Sequence, residues 1–254
     1  MARFGTVLMV TAVLVASLTL PATSHAQSRQ SLTKTDFAFP AAGQVRVVLF
    51  RPDVSVGEQS TGGLEQANAG WTEQAREELT KALGKAQADR NIELKLMPEL
   101  DGDDAKTMSD YRKLFKTVAD SVIKHRLFTI DPLPTKQAKF DWTLGPGTAR
   151  LGELGAGDYG LFFYTLDSYE SGSKRLVRLL TSPAETVGQS VGPVEINMGY
   201  AGLVDLKSGD LVWINVDVKM AGDVRTAEGA TLRISELLEG FPVRAGLAPA
   251  KVMK

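Results

Sequence analysis

The sequence feature that most constrains the fold is a long predicted β-hairpin at residues 196–219. In its second arm, apolar β-branched residues alternate with residues that are mostly polar: Val212, Ile214, Val216 and Val218 against Trp213, Asn215, Asp217 and Lys219. Period-two alternation is typical of a strand with one buried face. Gly209 closes the intervening turn, because glycine readily adopts the left-handed conformation that ends a type I turn with a bulge. The fold must therefore include an antiparallel strand pair in its C-terminal half.

Upstream of the hairpin, strand patterns and helix patterns alternate. An apolar, β-branched run at 45–50 predicts a strand buried on both faces. Further strands are predicted at 92–96 and 159–166, and helices at 71–86, 104–126, 146–154 and 224–238. This order predicts an α/β fold with a mixed, partly parallel sheet covered by helices, antiparallel at the hairpin and followed by a final helix.

The N-terminus has the three parts of a secretory signal peptide. Arg3 precedes an apolar run at 7–20, and the small residues Ser24 and Ala26 follow it. We expect cleavage after Ala26. The apolar run is shorter than the roughly 20 residues that span a bilayer, so we expect no membrane span in the mature chain.

Composition and patterning divide the remainder of the chain. Residues 27–43 are polar with little pattern and are interpreted as a linker or an edge segment. Residues 44–240 are expected to form one α/β domain, and 241–254 a tail. The formal charge of −1 at pH 7 gives no indication of nucleic-acid binding. The chain contains no cysteine, which excludes disulfides and a lipid anchor attached through cysteine.

Two motifs suggest a ligand site, but each is better explained by a structural role. Gly155, Gly157 and Gly160 match G-x-G-x-x-G, but this run precedes a predicted strand, whereas a dinucleotide site needs it after a strand and before a helix. The acidic run at 101–104 lacks the spacing of a calcium loop and suits a helix N-terminus. His125 is interpreted as a helix-end residue. We therefore predict no cofactor and no metal.

Candidate binding residues follow two predicted strands. Arg51 and Asp53 come after the first strand and begin a long predicted loop at 53–70, and Asp167 and Tyr169 come after the strand at 159–166. Open α/β sheets place ligands at the carboxyl ends of their strands. These four residues are therefore the candidate binding residues, with ordinary solvated loops as the alternative interpretation.

The central strand and the hairpin also resemble a known family. Gly-Asp-Tyr at 157–159 introduces the aromatic-rich strand, and residues 202–213 read GLVDLKSGDLVW. This combination resembles the globular α/β domain of the curli-secretion lipoprotein family. It is similar as well to the N-terminal domain of the Tol-system translocation protein and to penicillin-binding-protein activator lipoproteins. The resemblance in element order covers about residues 44–240, while the motif-level part is confined to 157–167 and 196–216.

The resemblance implies a non-enzymatic cell-envelope protein that acts through contacts with another envelope protein. The chain lacks the acylated cysteine of those lipoproteins, and residues 172–193 lack the alternating apolar spans of a secretion pore. We therefore expect a soluble periplasmic or secreted binding module that is not an enzyme. Two alternatives stay open. One is a hydrolase-like enzyme with a site near 51–55 and 167–171, and the other is a structural subunit that self-associates through the outer strand of the hairpin.

Overall fold

A computed structural model describes residues 28–59, 65–88, 92–128, 130–168 and 196–244. The predicted signal peptide, Tyr169, the segment 172–193 and the end of the predicted tail lie outside these residues. The described strands are β1 Arg29–Thr33, β2 Arg46–Leu49, β3 Asp53–Gln59, β4 Glu65–Ala67, β5 Glu93–Leu96, β6 Tyr159–Ser168, β7 Ile196–Asp205 and β8 Leu211–Asp217. The described α-helices are α1 Ala69–Ala88, α2 Gly102–Val122, α3 Pro134–Gln137, α4 Ala149–Gly155 and α5 Ala227–Leu237.

The predicted α/β class is confirmed. The strands form one mixed sheet in the order β1-β8-β7-β6-β2-β5, with β3 paired to both β4 and β6. The pairs β2–β5, β2–β6 and β3–β6 are parallel, whereas β1, β7 and β8 join through antiparallel pairs. The hairpin is β7–β8, and α5 follows it as predicted.

The prediction of a loop over 53–70 is wrong over most of its length, because β3 at Asp53–Gln59, β4 at Glu65–Ala67 and the start of α1 at Ala69 occupy it. Both β2 and β3 pair with the same side of β6. Leu49 lies opposite Leu161, and Asp53 lies opposite Tyr164. Four steps along one strand thus match three along the other, which is the spacing of a β-bulge. Pro52 lies in this bulge, so its missing N–H interrupts the ladder without ending the strand.

The hairpin is more deeply buried than its alternation predicts. Every residue of β8 is buried, including Asn215 and Asp217. The expectation of one solvated face is wrong, because α5 and β1 supply polar partners. Asn215 donates to the carbonyls of Glu236 and Leu237 at 2.8 and 3.0 Å, and Asp217 accepts from Arg29 at 2.9 Å.

A bulge in the hairpin also changes which way Val212 points. Leu203 lies opposite Trp213, but the next residue, Val204, lies opposite Leu211, so Val212 is the extra residue. Val212 therefore packs with Trp213 on one face of the sheet, while Ile214 packs on the other. The predicted single apolar face of Val212, Ile214, Val216 and Val218 is wrong in this one residue.

The region 27–43, predicted as a linker or an edge segment, contains an edge strand. β1 pairs with β8 over five residues, from Arg29 opposite Asp217 to Thr33 opposite Trp213. Beyond β1, Phe39 is fully buried. The outer edge of β8, through which the hairpin was expected to self-associate in one alternative, is therefore paired with this chain's own N-terminal strand.

Helices cover both faces of the sheet. On one face α1 and α5 pack over a core that includes Leu79, Leu83, Ile234 and Trp213. On the other face α2 and α4 pack over a second core that includes Phe115 and Leu151. The bulge between β2 and β3 lies beside α2, and this position sets the candidate site.

Candidate functional site

The structure does not bring the four predicted binding residues together. Arg51 and Asp53 flank the β2–β3 bulge and line a pocket beside α2. Asp167 belongs to the opposite face, since β6 turns Tyr164 and Leu166 toward α2 and places Thr165 and Asp167 on the α5 side. Tyr169 lies outside the described residues.

Asp167 lies within β6 and not, as predicted, in a loop after the strand, and its side chain belongs to a buried ion pair. Its carboxylate, 5% exposed, faces the fully buried guanidinium of Arg233 from α5. Arg233 Nη2 donates to Asp167 Oδ2 at 2.9 Å and to the carbonyl of Gly222 at 2.8 Å, and Nη1 reaches Thr165 Oγ1 at 3.3 Å. A buried charge is tolerated only when it is paired and hydrogen-bonded in this way. The pair fixes α5 to the central strand, and the Asp167 carboxylate is engaged in it.

The pocket beside α2 has an aromatic floor. Phe115 and Phe162 stack with ring centroids 4.4 Å apart, and Phe50 packs against Phe162 at 4.2 Å. Tyr164 stacks on Tyr200 at 4.9 Å with the rings 20° from parallel. The space enclosed is about that of one water molecule. The pocket therefore admits a water molecule or one small polar group and is too small for a drug-sized ligand.

Three cationic side chains form the rim of this pocket, and they differ in how fully they are paired. Arg51 is bonded to Glu73 at 2.9 Å, and Lys116 is bonded to Asp120 at 2.9 Å. Arg112, 34% exposed, has only a loose ion pair of 3.8 Å with Asp53 and makes no hydrogen bond with the described residues. Because a guanidinium carries five N–H donors, Arg112 presents unused donors at the mouth of the pocket.

Tyr200 supplies a second unused polar group, in the floor of the pocket. The residue is 1% exposed, and within the described part of the chain its hydroxyl has no hydrogen-bond partner. Burial, with further contributions from Asp120, Tyr164 and Asp53, raises the pKa of the Tyr200 hydroxyl well above its usual value. The hydroxyl therefore stays protonated at neutral pH, so it can donate a hydrogen bond to a group that enters the pocket. We call Arg51, Asp53, Arg112, Lys116 and Tyr200 the α2 pocket.

Sequence reasoning found two of these five residues and missed three. Arg112 and Lys116 are four residues apart and so share one face of α2. That spacing was visible in the sequence, but nothing local indicated that this face lies over the β2–β3 bulge. Tyr200 lies on β7, and nothing in the sequence indicates that its hydroxyl has no partner among the described residues.

The glycine run at 155–160 has a packing role. A Cβ on Gly155 or Gly157 would lie 2.7 or 2.2 Å from side-chain carbons of Val48, and one on Gly160 would lie 2.6 Å from the Phe50 ring. These glycines let the end of α4 and the start of β6 approach β2 closely. His125, in the π-helical turn Ile123–Leu127 that ends α2, contacts the carbonyl of Asp131 through Nδ1, consistent with a helix-end position.

The acidic and histidine side chains of the described residues do not gather into a group of three or more suited to a metal ion. In the same part of the chain, none of the helices combines the length and apolar character that crossing a bilayer requires.

Comparison with known proteins gives only distant structural likeness. No protein-family model matches the sequence, and a search of the curated proteins gave no match. The chain is similar to the PelC dodecamer from Paraburkholderia phytofirmans, with a TM-score of 0.38 and 11% identity over 85% of this chain and 97% of that one. A PelC variant from the same organism, in another space group, gives a TM-score of 0.37, 11% identity and 85% and 98% coverage. At these TM-scores the likeness gives no information about function or assembly.

Proposed function

We propose that this protein is a periplasmic cell-envelope module that binds another protein through the α2 pocket and performs no chemistry on it. The observation that carries the proposal is the Arg112 guanidinium, which presents unused donors beside an aromatic pocket whose floor contains the unpaired Tyr200 hydroxyl. Such a site offers hydrogen bonds and apolar surface to a ligand at the same point.

The composition of the pocket supports a protein ligand. Arginine and tyrosine are enriched among the residues that contribute most to protein–protein affinity, and such residues cluster in pockets that the partner fills. Arg112 and Lys116 project from a helix, and the bulge that carries Arg51 is held by strands on both sides. A site on rigid elements loses little conformational entropy when its partner binds.

The location of the pocket also supports a role in binding. The parallel pairing of β2 with β5 ends at Leu49 and Leu96, so the pocket lies at the carboxyl end of that pair, and open α/β sheets place ligands at such ends. The periplasmic assignment rests on the predicted signal peptide at 1–26. The family resemblance of residues 157–167 and 196–216 favours an envelope partner.

The experiment is affinity capture from an envelope extract with the mature chain as bait. The test variant changes Arg51, Arg112 and Lys116 to alanine. The control variant removes three exposed lysines that lie outside the pocket: Lys81, Lys106 and Lys113. Circular dichroism and thermal unfolding must first show that both variants are folded.

We expect one or more proteins to bind the wild type and the control variant but not the pocket variant. Each captured protein is then purified and its binding measured directly, which separates direct from indirect capture. Equal capture by all three baits, or no specific capture by any of them, would contradict the proposal.

A further inference from the structure

β5 is an edge of the sheet and presents unpaired backbone groups. In the described part of the chain it pairs with β2 on one side only. The backbone N–H groups of Glu93 and Met97 donate to β2 carbonyls. Because successive residues of a strand point their backbone groups to opposite sides, Leu94 and Leu96 direct their N–H and C=O groups outward. The edge also carries an exposed apolar side chain, since Leu96 is 49% exposed.

We propose that a second copy of this chain pairs with β5, so that two β5 strands run antiparallel about a two-fold axis at Leu94. In this register Leu94 lies opposite the partner subunit's Leu94, and Glu93 lies opposite the partner subunit's Lys95. The two-fold axis repeats the Glu93–Lys95 pair, so each dimer has two of them. On the other side of the strand, exposed Leu96 lies opposite the partner subunit's Ile92 and gains an apolar neighbour.

The hydrogen-bond pattern agrees with this register. The outward groups of Leu94 and Leu96 make the hydrogen-bonded pairs, which places Glu93 and Lys95 in the non-hydrogen-bonded pairs. Side chains approach each other most closely in such pairs, with Cα atoms about 4.5 Å apart. Opposite charges that lie directly across such a pair stabilise the sheet, whereas like charges destabilise it.

The opposite edge of the sheet is not self-complementary in this way. β1 reads Arg-Gln-Ser-Leu-Thr, so an antiparallel copy centred on Ser31 would place Arg29 opposite Thr33. Arg29 is also engaged within its own chain by Asp217, Glu236 and Glu239. Of β1 and β5, the two ends of the strand order β1-β8-β7-β6-β2-β5, only β5 therefore brings opposite charges together in such an antiparallel pair.

This inference concerns a surface separate from the α2 pocket and does not depend on the proposed function. It replaces self-association through the hairpin, whose outer edge is occupied by β1. A contact of one short strand is small, so we expect a weak dimer that forms at high micromolar concentration.

The first test exchanges charges in the mature chain. Glu93→Lys alone and Lys95→Glu alone each create two like-charge pairs, and the double variant recreates two opposite-charge pairs with their positions exchanged. By sedimentation velocity across a concentration series, we expect each single variant to weaken dimerisation about tenfold or more and the double variant to restore it. A chain that is monomeric throughout the series, or a double variant as weak as the single ones, would overturn the proposal.

The second test uses an introduced disulfide to identify the register. Because the chain has no native cysteine, only the introduced thiols can react. Leu94→Cys places two thiols in a directly opposed pair with Cα atoms about 5.5 Å apart, a separation that a disulfide can bridge. Lys95→Cys is the matched control, because its two thiols are on diagonal positions with Cα atoms about 7–8 Å apart. Under mild oxidation we expect covalent dimer from the first variant and several-fold less from the second. Equal yields, or more dimer from the control, would exclude this register.

Discussion

Replacing Arg233 with methionine tests the buried ion pair that fixes α5 to the sheet. The substitution keeps most of the side-chain volume but removes every N–H group that now bonds to Asp167, Thr165 and the Gly222 carbonyl. Asp167 would then be a buried carboxylate that has lost the Arg233 guanidinium. Its 5% exposure gives water little access to replace the lost contacts.

The expected loss is about 3–5 kcal/mol in the free energy of unfolding, the range seen when one member of a buried ion pair is removed. That is a large part of the roughly 5–15 kcal/mol that stabilises a typical domain. Urea denaturation of the mature chain, followed by circular dichroism, measures the change from the shift of the midpoint.

Two further variants separate the ion pair from ordinary packing. Asp167→Leu combined with Arg233→Met removes both charges, so we expect the double variant to be more stable than Arg233→Met alone. Arg46→Met breaks an exposed pair with Asp158 and should change the midpoint much less. A loss of unfolding free energy below about 1 kcal/mol for Arg233→Met would refute the reasoning, because removing the cation that pairs with a buried carboxylate costs several kcal/mol.

Three further predictions concern a turn, a carboxylate and the pocket. Gly209→Ala should destabilise the protein by about 1–3 kcal/mol, since φ is +82° and the new Cβ would lie 2.0 Å from a backbone carbonyl oxygen. Gly43→Ala, with φ of +89° and open space, should cost less in the same thermal unfolding assay, and equal losses would contradict the steric argument. Burial raises the pKa of Glu236 despite the opposing charge of Arg29, so the folded state binds this proton more tightly than the unfolded state. The stabilisation that protonated Glu236 contributes is therefore complete below the unfolded pKa, about 4.5, and is lost as pH rises through the folded pKa. Glu236→Gln should flatten the stability–pH curve between these two pKa values, and an unchanged curve would contradict the assignment to Glu236. Tyr200→Phe should leave the urea midpoint unchanged or raise it, because it removes a buried unpaired hydroxyl, and should weaken partner binding; a clear loss of stability would show that the hydroxyl is already satisfied.

The elements that the sequence predicted correctly are those determined by local chemistry. The alternating residues of β8 and the conformational freedom of Gly209 define a hairpin without reference to the rest of the chain. The burial of Asn215 was not predictable in the same way. Its partners are carbonyls at the end of α5, more than twenty residues away, and only the assembled fold brings them to the strand.

Two errors arose where tertiary pairing overrides local signals. The glycines and polar residues at 57–70 predicted a loop that extends back to Asp53, but Val54 and Val56 alternate with polar residues as a strand requires, and β6 is long enough to pair with the chain on both sides of the bulge. β1 is polar and carries no clear alternation, and its strand conformation comes from the edge of β8.

The candidate site was predictable only in part, because tertiary contacts decide which side chains lie in it. Arg51 and Asp53 were found by the rule that places ligands at the carboxyl ends of strands. Asp167 followed the same rule but is paired with Arg233, which lies 66 positions later in the sequence. Arg112 lies on a helix whose docking on the sheet was not known until the fold was assembled.

The most direct test of binding through the α2 pocket is a calorimetric titration of the purified partner into three forms of the mature chain: wild type, Arg112→Ala and Lys113→Ala. Arg112 lines the pocket, whereas Lys113, the next residue on α2, is exposed and pairs only with Asp110 among the described residues. We expect Arg112→Ala to weaken binding at least about tenfold, because arginine is among the residues whose truncation costs most in protein interfaces, and Lys113→Ala to match the wild type. Equal affinity for all three forms would show that the partner binds elsewhere.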